Sequence, residues 1–444
     1  MARAQVTQTG KMRQTLVDAV SLPDVRKRIL FVGAMFAVYI ACIHVPVPGI
    51  RADALENIFG GAGGSNILDL MNAFAGGALE RMSIVGLGIM PYINASIIFQ
   101  LLTIAVPSLE RLQRDEGDYG RKLIAKYVRY LTVVLAFVQA VGLITVLNGM
   151  QAVEGDWKLR LIMAFALAAG TSFLMWIAEE LTDKGIGNGV SLVIFCGIMC
   201  NMPQEIGRTL AQARAGAINV PQLLLLVICL VIIIGLIIFV QQGQRRLRVQ
   251  YAKRVVGHRV YGGHSSFLPL KVNAAGVIPI IFAISIFMFP ATVVQYVPAQ
   301  SEWWRVMASR VTSFNPGVDL LGVMAALVYF ILVVVFTYFY TAVTFKPTEI
   351  ADSLKKNGGF IPGIRPGRPT AEYLDRLMQR ITLPGALFLG LIALTPYYLP
   401  VLTKVTTFSL VGGTSLLIVV GVAMDTMQQM EAHLLMRNYE GFLR

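Results

Sequence analysis

Long apolar runs, separated by shorter charged connections, repeat along almost the whole of this chain. A helix that crosses a bilayer needs about 20 mostly apolar residues. Ten windows meet or approach that length, near residues 29–45, 83–106, 130–147, 161–178, 190–200, 223–240, 274–297, 320–343, 383–399 and 408–424. The fifth is short and opens on glycine. None of the ten holds an Asp, Glu, Lys or Arg, and no charged side chain occurs between Lys271 and Glu302. The runs are continuous instead of alternating, which selects helices over barrel strands. The pattern predicts an all-α polytopic membrane protein.

Composition agrees. Of 444 residues, 56% are hydrophobic and only 14% charged, against roughly 25% charged in soluble domains. A soluble, disordered, collagen-like or disulfide-stapled chain is thereby excluded. Cys42, Cys196, Cys200 and Cys229 all sit in apolar stretches. Cys196 and Cys200 share a helical face, but no His or carboxylate accompanies them, so they read as small buried hydrophobes. A polar segment over 1–28, with Arg26, Lys27 and Arg28 at its end, precedes the first window, and His44-Val45-Pro46-Val47-Pro48 follows it without a small-residue cleavage site. That arrangement predicts a retained first helix.

Charge sets the orientation. With an even number of spans both termini share a side, and alternate connections divide the 38 Lys and Arg as 29 on that side and 9 on the other. The 25 acidic residues divide 16 and 9. One face therefore carries the whole net charge of +13, and by the positive-inside rule it is cytoplasmic, with both termini.

Two spans share a motif. Gly88-Ile89-Met90-Pro91-Tyr92-Ile93-Asn94 in the second and Gly276-Val277-Ile278-Pro279-Ile280-Ile281 in the seventh both place proline three residues after glycine. Five spans separate them, so a five-plus-five duplication would be inverted in the membrane. On that division a first half covers 29–200 and a second 223–424, joined by an external loop over 201–222 and followed by a tail over 425–444. Proline removes an amide donor and glycine permits close approach; two such helices could meet at a seam that opens, or be ordinary kinks in a static bundle. Before the second span, glycines at 60–64 lead into a short amphipathic segment at about 65–75 bounded by Gly76-Gly77. It is too short to span, and Ser65 or Asn66 could cap it. It folds back into the membrane or lies on the outer surface.

The spans offer no chemistry of their own. They hold no ionisable group of the kind that marks ion-coupled transport. His44, His258, His264 and His433 are scattered, and Gly117-Asp118-Tyr119-Gly120-Arg121-Lys122 only superficially resembles a phosphate loop. No metal, cofactor or catalytic residue is expected; an energy source would come from a partner. Two cytoplasmic connections are long and basic. Residues 241–272 carry Arg245, Arg246, Arg248, Lys253, Arg254, Arg259 and Lys271 without an acid, and 344–382 surround the stiff run from Gly359 to Gly367. Ordered loops of this length are usually functional. Topology control with anionic-lipid contact is one reading; a docking surface for a large acidic partner such as ribosomal RNA is the other. Glycines and prolines fixing the single Arg365 favour docking in the second loop.

At these motifs the chain resembles the SecY family, the central subunits of the bacterial protein-conducting channel. The resemblance runs from Arg26 to Met430 and is most specific over 71–100, 183–191, 244–254, 268–279, 351–367 and 412–419. It implies ten transmembrane helices in two inverted halves around an hourglass pore, through which unfolded preproteins with signal sequences pass outward and nascent membrane helices leave sideways. It implies a pore ring of Ile89, Ile93, Val190, Ile194, Ile281 and Ile418. Val190 departs from the isoleucine common there. Branched apolar side chains would seal loosely around an extended chain without binding it and leave a dry constriction against ions. It implies a plug around Asn66, Ile67, Leu70, Met71, Asn72 and Phe74, and a lateral gate at Pro91, Asn94, Gln100, Asn273 and Pro279. Ribosome or motor docking falls to Arg245, Arg246, Lys253, Arg254, Arg259 and Arg365; the last matches an arginine required for motor-driven transport. Lys346 replaces a more usual asparagine. Implied partners are SecE and SecG in a heterotrimer, the SecA motor ATPase, the ribosome and the phospholipid of the bacterial plasma membrane; the chain is not expected to be an enzyme. A small-solute secondary transporter and a scaffold or insertase without a pore are the rival readings.

Overall fold

A computed structural model of the chain describes residues 23–51, 72, 75–115, 117–149, 151–251, 254–256, 259–261, 265–284, 286–287, 320–405 and 414–441. Eleven named helices and five short strands run through them: α1 Pro23–Ile43, α2 Met90–Ala105, α3 Pro107–Asp115, α4 Gly117–Gly149, α5 Trp157–Lys184, α6 Gly189–Arg214, α7 Val220–Gln242, β1 Gln244–Tyr251, β2 Arg254–Val256, β3 Arg259–Tyr261, β4 Ser265–Lys271, α8 Leu320–Thr344, α9 Pro347–Lys356, β5 Gly359–Phe360, α10 Arg368–Thr403 and α11 Thr414–Gly441. A further helical stretch covers 278–284. Among the described residues six helices are long and apolar enough to cross a membrane by length and composition.

The described residues form two compact units. One takes the chain up to Gln212 and from Ile418 onward; the other takes Ala213–Phe289 and the described residues up to Leu417. In the first unit α4 packs on α5 and α2, and α1 on α5. Its core joins Leu143, Ile144 and Leu147 of α4 to Met163 and Leu167 of α5, and both to Val47, Leu79, Met82 and Leu87 of the connecting chain. Close approach makes this packing possible. A methyl group on Gly170 of α5 would strike the carbonyl oxygen of Ile84, and one on Gly189 the carbonyl oxygen of Ala178. Between helices in lipid the gain comes from such contact, because no hydrophobic driving force separates them from the bilayer. The start of α1 is tied down by Arg28, whose guanidinium donates to the Gly185 carbonyl at 3.0 Å.

In the second unit α8, α9 and α7 all pack on α10. The long basic connection after α7 is not a loose loop. Residues β1 and β4 pair antiparallel over seven register positions, from Gln244↔Lys271 to Gln250↔Ser265. The second basic connection adds β5 to the other side of β1, through Gln250↔Phe360 and Tyr251↔Gly359. The sheet order is β4-β1-β5, which leaves Pro269 on an edge strand where its missing amide costs no ladder bond. Leu247 and Leu270 of the sheet, with Ile361 just after β5, share a core with Leu374, Leu377, Met378 and Ile381 of α10.

Two expected boundaries are corrected. The second window was read as helix from residue 83; residues 83–89 form successive turns and regular helix starts at Met90. The reason is local: Met82 and Gly88 both have positive φ, at 40° and 60°, and Pro91 sits in the first helical turn, where its lost amide has no partner to lose. The fifth window was read as a short span followed by a loop from 201; α6 instead continues through Arg214. Asn201, Glu205 and Thr209 recur at four-residue spacing and are all buried, so a polar stripe keeps the helix against its own unit.

Candidate functional site

The two glycine-proline motifs have the same local geometry. Gly88 has φ 60° and Gly276 φ 65°; helix begins at Met90 and at residue 278, and Pro91 and Pro279 each occupy the second helical position. The left-handed glycine turns the chain and the proline starts the helix, so neither proline is a kink within a span. Both prolines are buried.

From these starts the six expected ring residues can be placed. Ile89 precedes α2 and Ile93 lies one turn into it, with the Ile93 amide donating to the Ile89 carbonyl at 3.1 Å. Val190 and Ile194 stand one turn apart at the start of α6, and Ile418 is in the second turn of α11. Residues four apart fall on the same helix face. Ile89, Ile93, Ile194 and Ile418 are buried, and Val190 is half-buried. These five belong to the first unit; Ile281, half-buried, belongs to the second.

Of the expected plug residues, Asn66, Ile67, Leu70, Met71 and Phe74 lie outside the described residues. Asn72 is described and buried. Its side-chain oxygen accepts from the Glu80 amide at 2.9 Å and its side-chain amide donates to Glu80 Oε2 at 3.3 Å. Gly76 and Gly77, with φ 70° and 79°, turn the chain so closely onto α6 that a methyl at Gly76 would lie 2.8 Å from the Gly197 backbone.

The expected gate residues divide between the units. Asn94 and Gln100 are half-buried on α2; Asn273 is buried just after β4, and its side-chain oxygen has no hydrogen-bond partner among the described residues. Burying an unpaired amide oxygen is costly, and among the expected gate residues only Asn273 carries such an atom in the described structure.

The basic surface is built on the sheet. Arg245 and Arg246 of β1 are exposed, as is Arg365. Arg254 and Arg259 stand on the β2–β3 hairpin, in which Val256 pairs with Arg259 and Arg254 with Tyr261; Lys253 lies outside the described residues. Strand alternation buries Leu247 and Val249 and turns Arg246 and Arg248 outward together. Arg248 therefore joins the surface, opposite the exposed Phe267. The alternation Arg-Leu-Arg-Val was the available signal for it, and the run of charge hid the period. In the second loop, Gly363 and Gly367 have φ 83° and 103°, Ile361 is anchored in the core, and the Thr370 hydroxyl donates to the Arg365 carbonyl at 2.8 Å. The guanidinium is presented on a fixed backbone. Among the described residues no group of three or more His, Cys, Asp and Glu could hold a metal ion.

Sequence reasoning also missed the polar chain beyond Asn72. Arg208 Nη2 donates to Glu80 Oε1 at 2.6 Å, and its other terminal nitrogen lies 3.6 Å from Glu205. The three-residue spacing of Glu205 and Arg208 was visible, but the segment was read as a loop.

Known proteins match this arrangement. The chain matches the SecY family over residues 83–427. It is 45% identical over 430 residues to the protein translocase subunit SecY of Vibrio cholerae, covering 95% of each chain. It is 43% identical to that of Escherichia coli K12, again over 95% of each, and 42% identical to that of Streptomyces lividans, over 98% of this chain and 100% of the relative. Among solved structures it resembles one described as a protein-conducting channel, with TM-score 0.65, 18% identity, and 90% and 91% of the two chains covered. Another, described as Sec61 in a canine ribosome-channel complex, gives TM-score 0.58 at 18% identity, with 90% and 91% covered. This all-α, multi-pass membrane chain belongs to the SecY family.

Proposed function

We propose that the chain is the pore-forming subunit of a protein-conducting channel, passing unfolded preproteins across the membrane and releasing apolar segments sideways into lipid. The observation that carries this is the match in sequence to translocase subunits named SecY over nearly the full length of both chains. The ten spans form two inverted five-helix halves, for which the paired glycine-proline helix starts are the support. The ring is Ile89, Ile93, Val190, Ile194, Ile281 and Ile418: unreactive, branched and largely withdrawn from solvent. A chain in transit must leave every site it enters, so weak, non-directional contacts suit it better than strong ones. The segment at 65–75 is the plug. The basic sheet and Arg365 receive the ribosome or the motor ATPase SecA, which supply the energy, and SecE and SecG complete the complex. Both termini lie in the cytoplasm of a bacterial plasma membrane, as the basic excess favours. The subunit performs no catalysis itself.

The test is site-specific photo-crosslinking to a stalled preprotein. A probe at Ile93 is expected to crosslink when motor or ribosome is engaged, and one at Leu225, exposed on the apolar helix α7, is not. No crosslink at any ring position with an engaged precursor would sink the pore reading.

The gate makes a second prediction. Its uncharged polar groups are Asn94, Gln100 and Asn273, and the Asn273 oxygen, without a partner among the described residues, is available to accept one hydrogen bond on closure, worth about 1 kcal/mol. Asn273→Leu removes that acceptor and is expected to raise export of preproteins with weakened signal sequences about fivefold. Unchanged handling of weak signals by an Asn273→Leu channel would refute the role.

A further inference from the structure

The Asn72–Glu80–Arg208 chain has features that packing alone does not require. It joins three separate parts of the first unit: the described end of the 65–75 segment, the turns that lead to α2, and the far half of α6. Both groups of Asn72 are engaged by Glu80, one by its amide and one by its carboxylate. The second oxygen of that carboxylate takes Arg208. Beside them Tyr39, fully buried on α1, donates its hydroxyl to the Ala75 carbonyl at 3.3 Å. The grip is thus complete on the backbone and side chain around Asn72. Its last link, however, is still in contact with water. The Arg208 and Glu80 side chains keep 42% and 22% of their exposure, so the pair is strong enough to orient and weak enough to break.

We infer that Glu80 and Arg208 are positioning residues that clasp the chain at Asn72 in the resting channel, and that their ion pair sets how strong a signal sequence must be to open it. The inference rests on the channel reading above and deepens it. Two consequences separate a clasp from mere packing. Opening must break one shared link, so losing either partner has the same effect as losing both. The link is solvent-screened, so its hold weakens as salt rises through the range where the Debye length falls from about 10 Å to 3 Å.

The experiment uses membrane vesicles carrying the full complex with its motor. The readout is export of a preprotein with one charged residue in its signal core, divided by export of the same preprotein with an intact signal. Glu80→Gln and Arg208→Gln are each expected to raise this ratio about two- to fivefold, the range of a partly exposed ion pair. The double variant is expected to match the larger single effect. Arg208→Lys, which keeps the charge, is expected to stay near the wild-type ratio, and it decides the matter with Glu80→Gln if Arg208→Gln does not accumulate. The wild-type ratio is expected to climb with salt and that of Glu80→Gln to stay flat. Wild-type ratios in Glu80→Gln, additive single effects, or an undiminished salt response in Glu80→Gln would each overturn the clasp. Failure of the wild-type complex to crosslink at Ile93 would instead strike the channel reading, and it is scored separately.

Discussion

Gly170→Ala is expected to lower the unfolding temperature of the purified protein sharply and to reduce its steady-state level in membranes. The added methyl would overlap the carbonyl oxygen of Ile84, and backbone on both sides leaves no flexible side chain to give way. α5 must then move off the 83–89 turns, opening the core formed by Leu79, Met82 and Leu87 with Met163 and Leu167. Overpacking of this kind costs about 1–3 kcal/mol where side chains can adjust, and a contact with backbone puts this site at or above the upper end. Gly235 provides the control. It lies in the middle of α7 with nothing within 4 Å of an added methyl, so Gly235→Ala is expected to be neutral or to stabilise by about 0.5–1 kcal/mol through helix propensity. Equal unfolding temperatures for the two variants would remove the close-packing argument.

Arg365→Glu is expected to abolish motor-driven export while leaving the subunit folded and assembled. The side chain is exposed and makes no ion pair among the described residues, so its loss disturbs little at home. The backbone beneath it is held by Ile361 in the core, two left-handed glycines and the Thr370 hydroxyl. Ordering was completed on folding, so a docking partner gains the contact without a further entropy cost. Reversing the charge replaces attraction with repulsion at one point of an electrostatic interface, worth about 3 kcal/mol and a factor of about 100 in affinity. Stimulation of the motor's ATPase by vesicles carrying the variant measures it. Full stimulation would remove Arg365 from the docking surface.

Much of the fold was legible because lipid imposes a simple rule. A run of 18 or more apolar residues must be a helix when no water can satisfy its backbone, and the windows at 130–147, 161–178, 223–240 and 320–343 all lie within long helices. The rule also explains the misread start of α2. Residues 83–89 are as apolar as a span, and hydropathy cannot see that their backbone closes on itself. It does so by turn bonds such as Gly86 to Ser83 and Gly88 to Val85, both 2.8 Å, and by the Ile84 amide on the Val45 carbonyl at 3.0 Å. Positive φ at Gly88 was the physical signal, and glycines are too common in membrane helices to carry it alone. The sheet was hidden for a different reason. Its third strand, β5, comes from the second connection, separated from β1 by α8 and α9, and that pairing has no local signature. The extension of α6 was missed because Glu205 and Arg208 sat in a segment read as loop, whereas Glu205 lies on the helix's buried polar stripe and the exposed Arg208 reaches across to Glu80. The ring positions came from the family resemblance; an isoleucine at a helix start is indistinguishable, by itself, from one that packs.

The joining of the two basic connections through β1 has a mechanical consequence. A partner resting on Arg365 and one resting on Arg246 press on the same plate, because β5 and β4 are both stitched to one strand. That plate has almost no slack at its far end. Immediately after β4, the Val272 amide is bonded to the Gly243 carbonyl at 2.9 Å, while the Val272 carbonyl lies against Gly385 of α10, within 2.6 Å of where a methyl would stand. The next residue is Asn273, whose side-chain oxygen is unpaired among the described residues. If the docking and gate roles proposed above hold, a tilt of the plate would be handed over a single peptide bond to Asn273, and docking and unlatching would be the two ends of one short lever.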